Sequence, residues 1–511
     1  MEFDMQVGPN TSTLIDGWLD AGRGQSTVLI TADDKRWTAD ELHAAVCNVA
    51  ARLNDAGIGK DDRILLVLDD TPAFPAAFLG AMRIGAIPVP VNFLVRPDDF
   101  GYFLDDSSAV AAIVDHGFLE QVGPQVGARP AVRLIVANGA PPDGADSLDE
   151  WMTSDAGEVA PIATREEDVA FWLYSSGSTG PPKGVVHHHA GVAAICTNYA
   201  LPVLGMDEAD VVFSSTKMFH AYGLGNNLSF PLWAGATSVY LTGRPTADRL
   251  LERVATHRPS LLFSVPALYN AMLAESGFDD VDWSGVRHGI SAAEALPPEI
   301  WRQFHERTGI EILDGIGSTE MLHIYCSNRA GSAKPGTSGL PVDGYEIEIR
   351  DEDGELCDVG QAGEMWVKGS SALSLYWNQP DRTRDKIRDG WFLSGDRYNE
   401  HADGYYAYEG RVDDMMKVGG LWVSPIEIEN RLMEHAAVQE AAVVAVDVDN
   451  RSRIKAFAIL ADGHEEGDGL TEDLQQWCKA ELQRYQFPHL VDYVDDFPRT
   501  ATGKIQRFKL R

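Results

Sequence analysis

Three consecutive stretches near the N-terminus constrain the fold most. "RILLVL" (Arg63 to Leu68) is an apolar run of strand length, "AAFLGAMRIG" reads as a helix, and "AIPVPVN" reads as a second strand. Strand, helix, strand in that order implies a parallel pair joined by a right-handed crossover. A capping-box spacing, Thr38 and Glu41, opens an earlier helix with an apolar stripe of Leu42, Ala45, Val46, Val49, Ala50 and Leu53, and Gly57 stops it. "ARPAVRLIVAN" and "PSLLFSVPAL" supply further strands. The expected class is α/β, with a large N-terminal multi-sheet α/β body.

The pattern changes near residue 400. "NEHADGYYAYEGRVDDMMKVGG" is polar and turn-rich, as a linker is. Beyond it come a helix ("PIEIENRLMEH"), a strand ("VQEAAVVAV") and a second helix ("LTEDLQQWCKAEL"). The expected division is therefore residues 1–409 for the body and 410–511 for a small C-terminal α+β domain. The chain closes on "RTATGKIQRFKLR", a basic segment that reads either as a frayed, solvated tail or as positive charge kept for a purpose.

Charge narrows the partners. Asp plus Glu number 77 against 42 Lys plus Arg, a formal charge of −35. Such a surface repels nucleic acid and anionic lipid. The five cysteines, Cys47, Cys196, Cys326, Cys357 and Cys478, form no CxxC pair, so neither a zinc site nor a disulfide framework is expected. No secretory leader and no membrane-spanning run is read, and a cytoplasmic protein is the expectation.

The chemistry concentrates in "YSSGSTGPPKGVVHHHAG", Tyr174 to Gly191. The strand-like "VAFWLY" feeds a loop in which Gly177, Gly180 and Gly184 free the backbone, Ser175, Ser176, Ser178 and Thr179 offer hydroxyls, and Lys183 offers charge. Pro181, Pro182 and Gly184 break the Walker A spacing, which disfavours an ordinary P-loop. Composition leaves two readings, a phosphate cradle or a plain surface loop. His187, His188 and His189 are adjacent, and adjacent residues cannot all face one ion, so a metal site there is not expected.

The string SSGSTGPPKG resembles the nucleotide-phosphate loop of the adenylate-forming superfamily of acyl- and aryl-CoA synthetases, and further motifs follow in that family's order. "MFHAYGLG" is similar to the segment lining the carboxylate site, "GIGSTE" to the α-phosphate and Mg²⁺ motif, "LSGDRY" and "GRVDD" to the ribose and hinge motifs, "KVGGLWVSPIEIE" to the loop after the hinge, and "PRTATGKIQR" to the catalytic-lysine tail. The resemblance covers nearly the whole chain and is nearest to the benzoate-CoA ligase branch, through "AYGLGN", "ALPPEI", "DGIGSTEMLHI", "SPIEIE" and "TATGKIQRFKLR". Ile316 replaces the superfamily's usual aromatic, as it does in that branch. His220 stands in place of an aromatic and Ala293 in place of a glycine, both near the expected aryl pocket.

The resemblance implies an ATP-dependent aryl-carboxylate:CoA ligase with ATP, Mg²⁺ and CoA. It places catalysis on Lys504, Thr319, Glu320 and His220. Nucleotide and CoA would lie against Ser175, Ser176, Gly177, Ser178, Thr179, Gly180, Lys183, Asp314, Gly315, Ile316, Asp396, Arg411, Gly419 and Gly420. The aromatic acid would lie against Ala221, Tyr222, Gly315 and His323, Mg²⁺ against Thr179 and Glu320, and Asp413 would be the hinge of a mobile C-terminal lid. Benzoate, hydroxy- or aminobenzoates and bicyclic (naphthoate-type) acids of natural-product biosynthesis, antibiotic assembly included, all stay open as substrates. An acyl carrier protein supplied in trans is the alternative acceptor, and a monomer or homodimer is expected. A non-enzymatic acyl-adenylate binder is countered by the intact Lys504, Asp396 and Glu320, and a luciferase-type oxygenase by the aryl-ligase motifs.

Overall fold

The structure, a computed structural model, describes residues 8–175, 181–411, 415–418, 421–448, 451–483, 485–499 and 505–510. The expected strand, helix and strand form as Arg63–Val67, Ala73–Arg83 and Ile87–Pro90. They belong to a five-stranded sheet, ordered Ile87–Pro90, Arg63–Val67, Ala111–Asp115, Arg133–Ala137, Asp146–Ser147, and parallel throughout. A parallel sheet carries helices on both faces, so its strands read as unbroken apolar runs. All of Arg63–Val67 but its first residue is accordingly buried.

A nine-stranded sheet lies beside it. Its centre is parallel, through Ile312–Gly317, His288–Ser291, Leu261–Ser264, Val211–Ser214, Thr237–Val239 and Thr27–Ile30. Its two ends turn antiparallel, with Ile324–Ser327 and Leu340–Pro341 at one and Arg36–Thr38 at the other. One apolar core joins the inner faces of the two sheets and encloses the helices Ala39–Asp55 and Ala73–Arg83. Thr38 and Glu41 make the expected reciprocal cap, and the whole predicted stripe of the first of these helices is buried. Arg83 ends the second helix fully buried, its Nη1 2.9 Å from Asp16 Oδ1, so the charge enters the core only as a pair. Two further clusters cover the outer faces.

A three-stranded antiparallel sheet, Val169–Ser175, Lys183–His188 and Leu375–Tyr376, joins the body to a fourth sheet of Tyr345–Arg350, Gly363–Gly369, Trp391–Glu400, Ile387–Arg388 and Tyr406–Arg411. The first half of the polar stretch read as a linker is thus a β-hairpin. Its "HADG" is the turn, with Gly404 at φ +81°, and Tyr406 and Tyr408 continue the strand pairing beyond it. Strand Tyr406–Arg411 runs across the 409/410 division expected from composition. C-terminally, the helices Pro425–Met433 and Asp468–Glu481 pack on the sheet Val438–Val448, Arg451–Leu460, Leu490–Tyr493 with a core of its own. The described residues of the basic tail are tied to that unit. Arg499 meets Glu440 at 2.5 Å, and Arg507 meets Glu429 at 2.7 Å.

Candidate active site

The loop that drew attention in the sequence is the mouth of a hairpin. Val169–Ser175 and Lys183–His188 run antiparallel, with Ser175 opposite Lys183. Ser176, Gly177, Ser178, Thr179 and Gly180 between them lie outside the described residues, as do Asp413, Gly419, Gly420 and Lys504. Ser175 Oγ is buried with no hydrogen-bond partner among the described residues. The three histidines diverge. His187 is fully buried against Phe171, His188 is half-buried, and His189 Nδ1 accepts the Thr11 amide at 3.1 Å. No cluster of three metal-ligating side chains occurs among the described residues.

Strand Leu375–Tyr376 pairs with the other edge of Lys183–His188, Tyr376 opposite Val185. That pairing sets the Tyr376 ring 5.9 Å from Lys183 Nζ, while the Tyr376 hydroxyl donates to Glu320 Oε1 at 3.0 Å. Glu320 follows strand Ile312–Gly317, whose glycines permit a tight return. A Cβ on Gly317 would lie 2.5 Å from the His323 carbonyl oxygen, and one on Gly315 2.8 Å from the Cys326 carbonyl oxygen. Thr319 and Glu320 sit in the turn so formed. Asp314, buried on the same strand, has its carboxyl pushed up to about 8 by burial and so carries a proton at neutral pH. Asp396 and Arg411 are register partners on adjacent strands, and Arg411 Nη1 donates to Asp396 Oδ1 at 2.9 Å.

The acyl side is a broken helix. Ala221–Leu224 passes into a π-turn, Gly225–Ser229, and resumes as Phe230–Ala234. Wide turns of this kind concentrate at functional sites. His220 occupies the position before its first turn without a side-chain cap bond, its ring 4.4 Å from that of Phe219. Ala221 is buried, and the Tyr222 hydroxyl donates to the Ile290 carbonyl at 3.2 Å. His323 lies among Tyr199, Tyr222 and Phe230, with ring centroids at 5.5, 5.4 and 4.5 Å. Burial lowers its pKa to about 3, so the ring is neutral. Asn226 Nδ2 donates to Ser214 Oγ at 3.3 Å, which turns Asn226 Oδ1 toward His323 Nε2, 3.1 Å away. Nε2 therefore carries the proton. Nδ1 is left as an acceptor, buried and unpartnered among the described residues.

The structure adds residues that motif reading missed. Gly225 is one: a Cβ there would fall 2.4 Å from His323 Cδ2. Tyr376 is another, and its only sequence signal is its strand partner. A buried network is the third. Lys217 Nζ meets Asp69 Oδ1 at 2.7 Å and also donates to the Leu241 carbonyl, and Asp70 Oδ1 accepts the Met218 amide at 3.1 Å. This network ties the end of strand Arg63–Val67 to the acyl-side segment. Burial raises Asp70 to about 7. Ala293, the residue in a glycine's place, adopts φ +79°, which glycine tolerates and alanine does not favour.

The chain matches the AMP-binding enzyme family over residues 19–377 and the AMP-binding enzyme C-terminal domain over 427–504. It is 46% identical over 496 residues to the benzoate–CoA ligase of Thauera aromatica, covering 96% of this chain and 93% of that one. Its fold superposes on a benzoate CoA ligase from Burkholderia xenovorans LB400 with a TM-score of 0.92 at 42% identity, covering 99% of this chain and 100% of that one. It superposes on an anthranilate CoA ligase solved with anthranoyl-AMP with a TM-score of 0.94 at 35% identity, covering 98% and 96%.

Proposed function

The chain belongs to the AMP-binding enzyme family, and from that premise we propose how its site works. It is an AMP-forming acid–thiol ligase that activates an aromatic carboxylate with ATP and Mg²⁺ and passes the acyl group to CoA. A carboxylate is a poor electrophile. Its oxygen attacks the α-phosphorus, the bond to the bridging oxygen breaks, and the electrons leave with pyrophosphate. The CoA thiolate then displaces AMP from the acyl-adenylate.

The first step presses one anion against another, so the residues of the site must supply positive charge and fixed dipoles where charge gathers. In this reading the 176–180 loop and Lys183 hold the β- and γ-phosphates, Thr319 contacts the α-phosphate, and Lys504 neutralises the collision. Asp396 and Arg411 hold the ribose end, with Asp314, Gly315 and Ile316 beside the base. A Mg²⁺ ion would sit at Glu320 and Thr179. Glu320 fits it as a hard oxygen donor whose Oε1 is oriented by Tyr376. When bound, the ion supplies charge neutralisation to the phosphates. Lid rotation about Asp413 then exchanges Lys504 for Gly419 and Gly420 along the CoA arm.

The acid lies along His220, Ala221, Tyr222 and Gly315, with His323 behind them. The unsatisfied Nδ1 of neutral His323 favours a ring substituent that can donate a hydrogen bond, a hydroxyl or an amine. The observation that carries the reading is the meeting of three distant segments at one place: Lys183 at the hairpin mouth, Tyr376 beside it, and Glu320 bonded to that tyrosine. The test is pyrophosphate release across benzoate, its hydroxy and amino derivatives, and naphthoates, with CoA and a carrier-protein thiol each supplied alone. Release that requires an aryl acid, with thioester on CoA, sustains the reading. Release indifferent to the acid contradicts it.

A further inference from the structure

Helix Pro97–Ser107 is firmly seated. A proline opens it, Asp98 and Asp99 sit at its positive end, and Phe100, Phe103 and Leu104 anchor it in an apolar cluster. Tyr102 and Asp106 are four apart and share another face. Both reach the hairpin that carries Lys183. The Tyr102 hydroxyl donates to the Pro182 carbonyl at 2.7 Å, one residue before the lysine. Ser175 opposite Lys183 is the last pair of that ladder among the described residues, so Pro182 is held just where the pairing stops. On the opposite strand the Tyr174 hydroxyl donates to Asp106 Oδ2 at 2.6 Å, a short bond to a charged acceptor. Tyr174 is the register partner of Gly184, so the two bonds bracket Lys183 from both strands.

Asp106 also holds the strand of Tyr376. Its main-chain carbonyl accepts the Trp377 indole N–H at 2.7 Å and the Asn378 side-chain amide at 3.1 Å. The Trp377 ring stacks on that of Trp172 at 4.6 Å, and its backbone amide donates to the Gly184 carbonyl at 2.8 Å. Tyr376, the preceding residue, has its ring 5.9 Å from Lys183 Nζ and its hydroxyl on Glu320 Oε1. One turn of helix thus fixes the backbone on either side of Lys183 and the backbone of the tyrosine that orients Glu320. A lysine has a long, flexible stem, so its ammonium is placed only as well as the backbone beneath it.

We propose that Tyr102 and Asp106 are positioning residues of the adenylation site, holding Lys183 and, through Trp377 and Tyr376, Glu320 at the spacing that Mg²⁺-bound ATP requires. The proposal rests on the adenylation reading above and adds to it a helix that lies outside the nucleotide motifs.

The test measures KM for Mg²⁺–ATP and for the aryl acid in pyrophosphate release, on the full chain and on Y102F, D106A, D106N, W377F, K183A and the K183A/Y102F pair. Y102F, D106A and W377F each lose one hydrogen bond and are expected to raise KM for Mg²⁺–ATP about fivefold, while KM for the acid stays within about twofold. D106N keeps an oxygen for the Tyr174 hydroxyl and should stay within about twofold of the wild type. In the K183A background Y102F should add nothing, because the lysine it serves is gone. Y102F keeps its ring packing, so it carries the test should D106A fail to fold. An unchanged KM for Mg²⁺–ATP in Y102F overturns the assignment and leaves the adenylation reading standing. So do equal rises for ATP and acid, an undiminished Y102F effect without Lys183, or a D106N no better than D106A. A wild-type chain that releases no pyrophosphate with any aryl acid removes the reading itself, and the positioning role with it.

Discussion

Gly225→Ala puts the packing of the acyl side to a numerical test. The new Cβ would stand 2.4 Å from His323 Cδ2, 2.8 Å from His323 Nε2 and 3.3 Å from Phe230 Cζ. Carbon atoms in contact sit about 3.5–4.0 Å apart, so the overlap exceeds an ångström. The His323 ring cannot back away freely, because three aromatic rings and Asn226 enclose it. Overpacking of this kind costs about 1–3 kcal/mol, and losing the Asn226 bond costs about 1 kcal/mol more. Alanine's better helix propensity returns about 0.9 kcal/mol. The net expectation is a loss of about 2 kcal/mol in urea unfolding. In steady-state pyrophosphate release, KM for the aryl acid should rise about tenfold while KM for ATP stays within about twofold. A variant as stable as the wild type, or stabilised as helix propensity alone would have it, refutes the argument.

Four further outcomes are expected. Lys504→Ala should lose acid-dependent pyrophosphate release by about 10²-fold or more yet still convert supplied acyl-adenylate and CoA to thioester; full adenylation would remove the lysine from its role. Lys217→Met leaves Asp69 without its cation and should cost about 3–5 kcal/mol in urea unfolding; under about 1 kcal/mol would show that the pair does not hold the two segments together. Ala293→Gly should relieve about 1–2 kcal/mol of left-handed strain against about 0.5–1 kcal/mol of added chain entropy, for a small net rise in stability, and a fall would count against strain at that residue. His187 has its folded pKa lowered to about 3, so its neutral form adds stability that is fully present above about pH 6.5 and lost as pH falls from there toward 3; in His187→Leu the stability lost between pH 7 and 4.5 should shrink by up to about 2.7 kcal/mol, and an undiminished loss would contradict the burial argument.

Local features were legible in the sequence because local rules decide them. The helix Ala39–Asp55 needed only its cap and its stripe, and the apolar run at Arg63–Val67 needed only its length. The loop ends at Ser175 and Lys183 were legible as turn chemistry. What escaped depends on residues far apart in the chain. Tyr376 finds Glu320 across 56 positions, Lys217 finds Asp69 across 148, and Asn226 finds His323 across 97. No spacing rule links such pairs; strand order does. The hairpin at residues 391–411 was masked by its own polar turn, since composition averaged over the stretch hides the paired tyrosines on either side. The left-handed backbone at Ala293 was hidden for the opposite reason, because alanine is not a residue that advertises it.

The central claim is that the carboxylate oxygen itself attacks the α-phosphorus of ATP. An aryl acid carrying ¹⁸O in both carboxylate positions follows that atom directly. With ATP, Mg²⁺ and CoA, the account predicts one ¹⁸O in every AMP formed, one in the thioester carbonyl, and none in pyrophosphate. Label in orthophosphate alongside ADP, or AMP without label, would contradict it.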